Sequence, residues 1–307
     1  MIKIFIDGSA GTTGLRIRDR LSERSDVSLL SLPEQLRKDP AARKEILNSC
    51  DAAFLCLPDD AAHEAVGMIE NDNVTVFDTS TAHRTDPRFA YGLPELSERH
   101  RQKIKDSRRI AVPGCHASGF IALVYPLIEA GVLNPDTKLG CFSLTGYSGG
   151  GKNMIAAYES ESRSPLLSAP RQYGLTQSHK HLKEMTAVTG IARPPVFCPI
   201  VANFYSGMEV TIPLTQDDIS ASPSEIKEIY RNKYSGGMIF CDDETENGFI
   251  SAAGMSGRDS MQISVCGNDE RILLIARYDN LGKGASGAAI QCMNIKFGMN
   301  EDSGLTV

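Results

Sequence analysis

The sequence lacks any apolar run near the ~18 residues that a membrane-spanning helix requires, which sets aside a helical membrane protein. Its opening, MIKIFIDGSAG, is broken by Asp7 and Gly8 too early for a secretory core. Paired cysteines are also missing. Eight are scattered singly along 307 residues, with no C-x-x-C and no Cys/His ladder of zinc spacing. They are expected as free thiols in a reducing cytoplasm, with no metal site. Asn73-Val74-Thr75 is then a chance glycosylation match. There is no excess of positive charge: 32 Lys and Arg stand against 38 Asp and Glu, for a net charge of −6. A broad nucleic-acid or membrane-surface partner is not expected, although a local basic pocket stays open. Internal repeats and low-complexity tracts are absent too. What remains is an ordinary globular composition, long enough for about two domains at ~100–200 residues each.

The first third alternates short apolar runs with longer amphipathic stretches. Ile2–Ile6, Val27–Leu30, Ala52–Leu57 and Val74–Phe77 are rich in β-formers and bounded by turn residues. Such runs predict parallel strands joined by crossover helices, hence a doubly wound α/β domain. From about Phe142 the pattern changes. Ser206–Leu214, Met261–Cys266 and Arg271–Tyr278 alternate apolar with polar residues, as a sheet with one wet face does. The Ala-rich tail from Gly284 to Phe297 predicts a helix that can return to the first domain. The expected division is 1–114 with 284–307 for one domain and 115–283 for an α+β domain with a mixed, largely antiparallel sheet.

Ile4-Phe5-Ile6-Asp7 runs straight into Gly8-Ser9-Ala10-Gly11-Thr12-Thr13-Gly14 and then an amphipathic helix. Strand, glycine turn and helix together bring backbone close to a pyrophosphate at a helix N-terminus. A nucleotide-binding turn is expected here, against the alternative of a bare structural turn. The second strand ends at Ser31-Leu32-Pro33, where an NAD-preferring site places a carboxylate for the ribose hydroxyls. Arg37 and Lys38 follow, either to neutralise a 2′-phosphate or as solvated loop charges. The missing acid favours NADP.

Arg109-Ile110-Ala111-Val112 predicts a strand, Pro113-Gly114 a turn, and Cys115 the start of a helix with apolar residues at 120, 123, 124, 127 and 128. A thiol at a helix N-terminus is stabilised as thiolate, below its free value of ~8.5. Cys56, Cys198, Cys241, Cys266 and Cys292 lie inside or beside apolar segments, where a thiol is usually a small buried hydrophobe, and Cys50 and Cys141 have no special context. Two histidines, His179 and His181, stand two apart before a helix that carries Glu184. They are candidates for acid–base work with Cys115, against the alternatives of helix-entry or surface histidines.

These motifs, taken in order, resemble one family. FIDGSAGTTG, DTSTAHR ending at Arg84, YGLPEL at 91–96, VPGCHASG at 112–119, TGYSGGGK at 145–152, YGLTQSHKHLKEM at 173–185 and DNLGKGASGAAIQCMN at 279–294 span nearly the whole chain. Together they resemble the short form of N-acetyl-gamma-glutamyl-phosphate reductase, an arginine-biosynthesis enzyme. The resemblance implies a Rossmann-type NADP-binding domain plus a semialdehyde-dehydrogenase-like catalytic domain, in a cytoplasmic homodimer or homotetramer. It implies Cys115 as a nucleophile that forms a thioester, His179 as acid–base with His181 as second choice or as a substrate contact, and Glu184 as a substrate contact or an orienter of an imidazole. It also implies Arg84, Ser148, Gly149 and Lys152 as anion-binding residues for an acyl-phosphate substrate, and Ser80 and Asn280 beside the cofactor. One departure is Gly114-Cys115-His116-Ala117-Ser118, where longer members read Gly-Cys-Tyr-Pro-Thr; the part His116 plays is left open. The rival readings are a related acyl-phosphate reductase, such as aspartate-semialdehyde dehydrogenase or its lysine-pathway counterpart, and a non-catalytic NADP-binding sensor.

Overall fold

A computed structural model describes all residues, 1–307. Its strands and helices begin, in chain order, with β1 (Ile2–Asp7), α1 (Thr12–Ser22), β2 (Val27–Leu30), α2 (Pro40–Ser49), β3 (Ala52–Leu55), α3 (Asp59–Met68) and β4 (Thr75–Asp78). Then come β5 (Ala90–Tyr91), α4 (Glu98–Asp106), β6 (Arg109–Ala111), α5 (Cys115–Glu129), β7 (Gly140–Gly146), α6 (Gly151–Glu159), β8 (Arg171–Gln172) and α7 (His181–Thr189). The chain closes with β9 (Val196–Ala202), β10 (Met208–Thr215), α8 (Pro223–Lys233), β11 (Ile239–Cys241), β12 (Met261–Gly267), β13 (Arg271–Tyr278) and α9 (Gly287–Lys296).

Two compact units result. Met1–Pro113 with Ala285–Leu305 form the first, and Gly114–Gly284 with Thr306–Val307 the second. The last two residues group with the second unit because Thr306 and Asp259 exchange hydrogen bonds: each donates its backbone N–H to the other.

The first unit holds a six-stranded sheet in the order β2-β1-β3-β4-β6-β5, with every pair parallel. Side chains alternate across each strand, so β1 sends Ile4 and Ile6 into one apolar layer and Phe5 into the other. That is why the strands read as continuous apolar runs: both faces are covered. In α1, Gly14, Ile17 and Leu21 recur at helical spacing and are buried. The tail helix α9 is buried from Gly287 to Ile295 and contributes Ile290 and Met293 to the layer of Ile4. The strand order reverses direction between β1 and β3, which opens a crevice at the carboxyl end of β1, where Gly8 begins.

The second unit holds a seven-stranded mixed sheet, β11-β12-β13-β10-β7-β9-β8, with four antiparallel and two parallel pairs. The apolar spacing in α5 predicts one buried stripe. The structure instead buries every residue from His116 to Val124, so α5 is a core helix enclosed on all sides. Polar side chains in its first turns therefore need hydrogen-bond partners within the protein.

Candidate active site

In the first unit, Gly8 adopts φ +85°, and a Cβ there would lie 2.2 Å from the Cys56 carbonyl oxygen. A Cβ on Gly14 would fall 2.5 Å from the Gly8 oxygen. Only glycine permits this turn, and the backbone lies bare as a result. A cavity of about 510 Å³ opens beside it, lined by Gly8, Ser9, Ala10 and Ser31 together with three cations, Arg18, Arg37 and Lys38. Asp7 also borders it, but its carboxylate is buried and paired with Arg43, Nη2 to Oδ2 at 2.9 Å. Gly11 is the N-cap of α1, and Thr12, Thr13 and Gly14 form its first turn. Thr12 Oγ1 is buried and has no hydrogen-bond partner within the protein. A bare backbone cradle, an unsatisfied hydroxyl and clustered cations fit a dinucleotide that carries an extra phosphate.

Ser80 lies outside the lining of that cavity. Its hydroxyl donates to Asp78 Oδ2 at 2.8 Å and accepts from Ala82 N–H, so it builds the turn after β4. Asp78 also meets His83 Nδ1 at 2.7 Å, and the His83 ring stacks on Phe89. Next to it, Arg84 donates from Nε to the Val112 carbonyl and from Nη2 to the Thr79 carbonyl, both at 2.9 Å. These bonds fix the plane of its guanidinium.

In the second unit, Cys115 is the first residue of α5, as the Pro-Gly turn predicts, and Gly114 is its N-cap. Three elements hold this helix end. Glu184, buried in α7, accepts the Gly114 N–H through Oε1 at 2.8 Å. Tyr278, buried at the end of β13, donates its hydroxyl to the Cys115 carbonyl at 2.5 Å and accepts the Gly119 N–H at 3.1 Å. Gly284 passes so close that a Cβ on it would lie 3.1 Å from Cys115 Cβ. The remaining cysteines give a contrast: burial pushes the Cys50 and Cys241 thiols up to about 11 and Cys56 up to about 12. These three stay protonated at neutral pH.

Three imidazoles cluster in this unit. Ring centroids of His179 and His181 lie 4.7 Å apart, and His116 lies 5.8 and 5.6 Å from them. His179 precedes the helix and His181 opens it, so their proximity comes from a helix entry and not from an extended segment. His116 is buried with both ring nitrogens engaged, Nδ1 with Ser143 Oγ at 2.6 Å and Nε2 with Tyr173 Oη at 2.7 Å. Burial, then the neighbouring His179, lowers its pKa to about 3. It is a neutral ring and brings no positive charge to the thiol. Glu184, expected at the substrate or on an imidazole, has its Oε1 on the turn that presents the thiol.

Ser148 is buried in the turn that follows β7, and its Oγ accepts from Asn280 Nδ2 at 3.0 Å. Asn280 Oδ1 in turn accepts the Gly207 N–H at 2.9 Å. One N–H and one lone pair of the Asn280 amide are left for other contacts. The glycines expected as an open anion loop fold into a 3₁₀ turn (Tyr147–Gly150) that leads into α6, with Gly149 and Lys152 exposed. Sequence reasoning missed Tyr173, Ser143, Tyr278 and Arg18. Tyr173 lies inside a quoted motif and Arg18 on the helix of the glycine turn, so both carried some signal. Tyr278 carried none.

Residues 115–280 match the family model for the semialdehyde dehydrogenase dimerisation domain, and residues 8–106 match the semialdehyde dehydrogenase NAD binding domain. The N-acetyl-gamma-glutamyl-phosphate reductase 2 of Nostoc sp. is 43% identical, covering 99% of both chains. The N-acetyl-gamma-glutamyl-phosphate reductase of Sinorhizobium medicae is 44% identical over 95% of this chain and 98% of its own. Among solved structures, aspartate semialdehyde dehydrogenase II from Vibrio cholerae aligns with a TM-score of 0.71 at 14% identity, covering 96% and 98% of the two chains. The Candida albicans aspartate semialdehyde dehydrogenase with NADP aligns at 0.67 and 15% identity, with the same coverage. With near-complete overlap at more than 40% identity, this chain belongs to the N-acetyl-gamma-glutamyl-phosphate reductase family and is built from semialdehyde dehydrogenase domains.

Proposed function

We propose that the chain is an NADP-dependent reductase that converts N-acetyl-glutamyl 5-phosphate to N-acetyl-glutamate 5-semialdehyde in arginine biosynthesis. The observation that carries this reading is Cys115, held by three elements at the start of a buried helix whose next residue, His116, packs against the imidazole pair of His179 and His181. A thiol in that place suits acyl transfer.

Cys115 Sγ gives up its proton to an imidazole and attacks the acyl carbon. The bond to the phosphate oxygen breaks and a thioester on Cys115 remains. When bound, the nicotinamide cofactor supplies the hydride that reduces this thioester. Collapse of the reduced adduct frees the aldehyde and returns Cys115 as thiolate. The imidazole passes its proton to the departing phosphate and the thiolate takes one back from solvent, so one proton and one hydride are consumed per turnover. Arg84, with its guanidinium fixed by two carbonyls, and Lys152, beside Ser148 and Gly149, are the proposed holders of the phosphate and carboxylate of the substrate.

The glycine turn from Gly8 to Gly14 would hold the pyrophosphate, Ser31 the ribose, and Arg37 and Lys38, now joined by Arg18, the 2′-phosphate that distinguishes NADP. Ser80 and Asn280 would support the nicotinamide end from the turns they fix. A homodimer or homotetramer is supported by the matched dimerisation domain and by exposed apolar residues on one face of the second sheet. Phe142, Val196 and Leu273 are 49, 64 and 40% exposed, and strand register puts them on the same face. No helix is long and apolar enough to cross a membrane, and a cytoplasmic location suits the free thiols.

The test runs the reaction backwards, because acyl phosphates are labile. The chain is mixed with N-acetyl-glutamate semialdehyde and NADP, with and without phosphate, while absorbance of the reduced cofactor is followed. Phosphate-dependent reduction that is lost in Cys115→Ser, with aspartate semialdehyde inactive, is the expected result. Activity with another aldehyde alone would move the substrate, and retained turnover in Cys115→Ser would remove the thioester.

A further inference from the structure

An arginine holds an oxyanion well only when its planar guanidinium is aimed. In the first unit two carbonyls do the aiming. Val112 accepts from Arg84 Nε and Thr79 from Arg84 Nη2. Both lie just past paired strands, Thr79 after β4 and Val112 after β6, and the Val112 N–H donates to the Asp78 carbonyl at 2.8 Å. The sheet therefore fixes the two acceptors. Arg84 must reach back to a carbonyl five residues before it, so its direction depends on the turn between them.

The Asp78 side chain closes that turn. Its carboxylate is fully buried and takes the Ser80 N–H on Oδ1 at 2.9 Å and the Ser80 hydroxyl on Oδ2 at 2.8 Å. Oδ2 also meets His83 Nδ1 at 2.7 Å. A carboxylate offers acceptors only, so Nδ1 carries a proton and donates it. Thr81 is tied separately, its N–H and hydroxyl donating to Asp59 at 3.0 and 2.7 Å. His83 is thus the last anchor before Arg84.

The ring is held on more than one side. It stacks on Phe89, with centroids 4.2 Å apart at 12°, and His63 meets it edge-on at 4.5 Å. A buried histidine in such a place could be mere filling. A phenylalanine would fill the same slot against Phe89 and His63, so what the imidazole adds is the bond to Asp78. That bond fixes the residue next to Arg84 to the strand whose following carbonyl receives the guanidinium.

We infer that His83 is a positioning residue for Arg84, aiming the guanidinium at the substrate oxyanion through its Nδ1–H bond to Asp78. This rests on the reductase reading above, in which Arg84 holds the phosphate or the carboxylate of the substrate. His83 itself exchanges no proton and touches no substrate.

The test compares His83→Phe, His83→Asn and Arg84→Gln in the full chain. Phenylalanine keeps the stacking and loses the donor. Asparagine places an amide N–H near the position of Nδ1 and leaves part of the ring's space empty. In the phosphate-dependent reverse reaction, KM is measured separately for phosphate, for the semialdehyde and for NADP. Arg84→Gln should raise one of the first two, and His83→Phe should raise the same one by about 10- to 100-fold, with kcat within about threefold. His83→Asn should stay within about threefold throughout, although its Tm falls, because the kinetic effect follows the donor and not the packing. KM for NADP should not change, since the Ser80 bonds to Asp78 do not involve the ring. A further readout needs no substrate. In side-chain ¹⁵N–¹H spectra the Arg84 Nε–H, assigned by its loss in Arg84→Lys, should exchange at least about tenfold faster in His83→Phe than in His83→Asn. Unchanged KM in His83→Phe, equal rises for all three ligands, His83→Asn as impaired as His83→Phe, or an unaltered Arg84 signal would overturn the assignment. If Arg84→Gln raises neither KM, or the unsubstituted chain shows no phosphate-dependent turnover, it is the reading of Arg84 or of the reductase that falls, and the exchange rates still judge His83.

Discussion

Tyr278→Phe removes one oxygen from the hydroxyl that bridges Cys115 and Gly119, and its effect can be worked out from the structure. That hydroxyl donates to the Cys115 carbonyl at 2.5 Å and accepts the Gly119 N–H at 3.1 Å, within the first turn of α5. The space is made for it: a Cβ on Gly119 would lie 2.7 Å from the Tyr278 oxygen. Two buried hydrogen bonds at about 0.5–1.5 kcal/mol each put the gross loss near 1–3 kcal/mol. The Cys115 carbonyl and the Gly119 N–H stand at i and i+4 in the first turn of α5, so they also share a helix hydrogen bond. That remaining bond brings the net loss to about 1–1.5 kcal/mol, or about 2–4 °C in Tm for a chain of this size. Without the hydroxyl the Cys115 carbonyl is held by that bond alone, and a shift of the order of 1 Å at a nucleophile costs up to about 10²-fold in rate. Turnover in the phosphate-dependent reverse reaction should therefore fall about 10- to 100-fold, while KM for NADP stays the same. Thermal unfolding by circular dichroism and steady-state kinetics on the same preparation measure both effects. Unchanged kcat alongside the expected drop in Tm would refute the claim that this hydroxyl positions the nucleophile.

Two further outcomes follow from the charge placement. Replacing Arg18, Arg37 and Lys38 together by Gln should weaken NADP roughly tenfold to a hundredfold and NAD by less than about threefold, with the NADP loss shrinking as salt rises; titration of both dinucleotides by fluorescence checks this, and equal losses would show that these cations do not read the 2′-phosphate. His116 is neutral when folded because burial holds its pKa near 3, so below its ordinary value near 6.5 the unfolded chain binds a proton that the folded chain does not. This contribution is complete above pH 6.5 and is lost as pH falls toward 3, by about 1.4 kcal/mol per pH unit. Urea unfolding at about pH 6.5 and about pH 5.5 should therefore show a loss in the unsubstituted chain about 1 kcal/mol larger than in His116→Gln, and equal losses would mean that His116 is protonated in the fold.

The features legible in the sequence are those set by short-range geometry. Gly8 and Gly14 must be glycine because backbone atoms occupy the space of a Cβ, and a strand before them with a helix after them is visible as pattern. Cys115 could be placed at a helix start because Pro113-Gly114 breaks the chain just before it. The residues that escaped depend on contacts between distant segments. Tyr278 is 163 residues from Cys115, and nothing in RILLIARY distinguishes its last residue from an ordinary strand aromatic. Asn280 and Ser148, both expected as ligand contacts, bond to each other across 132 residues, so polar residues in a recognised motif turn out to hold the site's walls. The closeness of the two histidine rings was not legible because it depends on α7 beginning at His181, and helix starts are the least certain part of a pattern-based reading. The apolar spacing of α5 shows one stripe, whereas small residues such as Ala117, Gly119 and Ala122 let it be enclosed on every side.

That enclosure bears on the chemistry. The N-terminus of α5 favours a thiolate at Cys115 through its aligned peptide dipoles. Glu184, however, places a carboxylate 2.8 Å from the Gly114 N–H at the same helix end, and a carboxylate there takes up part of the field that would otherwise favour the thiolate. The arrangement gives up some electrostatic activation in return for a fixed turn, which a helix buried from His116 to Val124 can hold without further adjustment. On the reading proposed above, such a thiol needs a base as the acyl group arrives, and His181 opens the same helix that carries Glu184. The carboxylate that holds the thiol's turn and one ring of the imidazole cluster thus come from one turn of one helix, so shifting α7 should move both together.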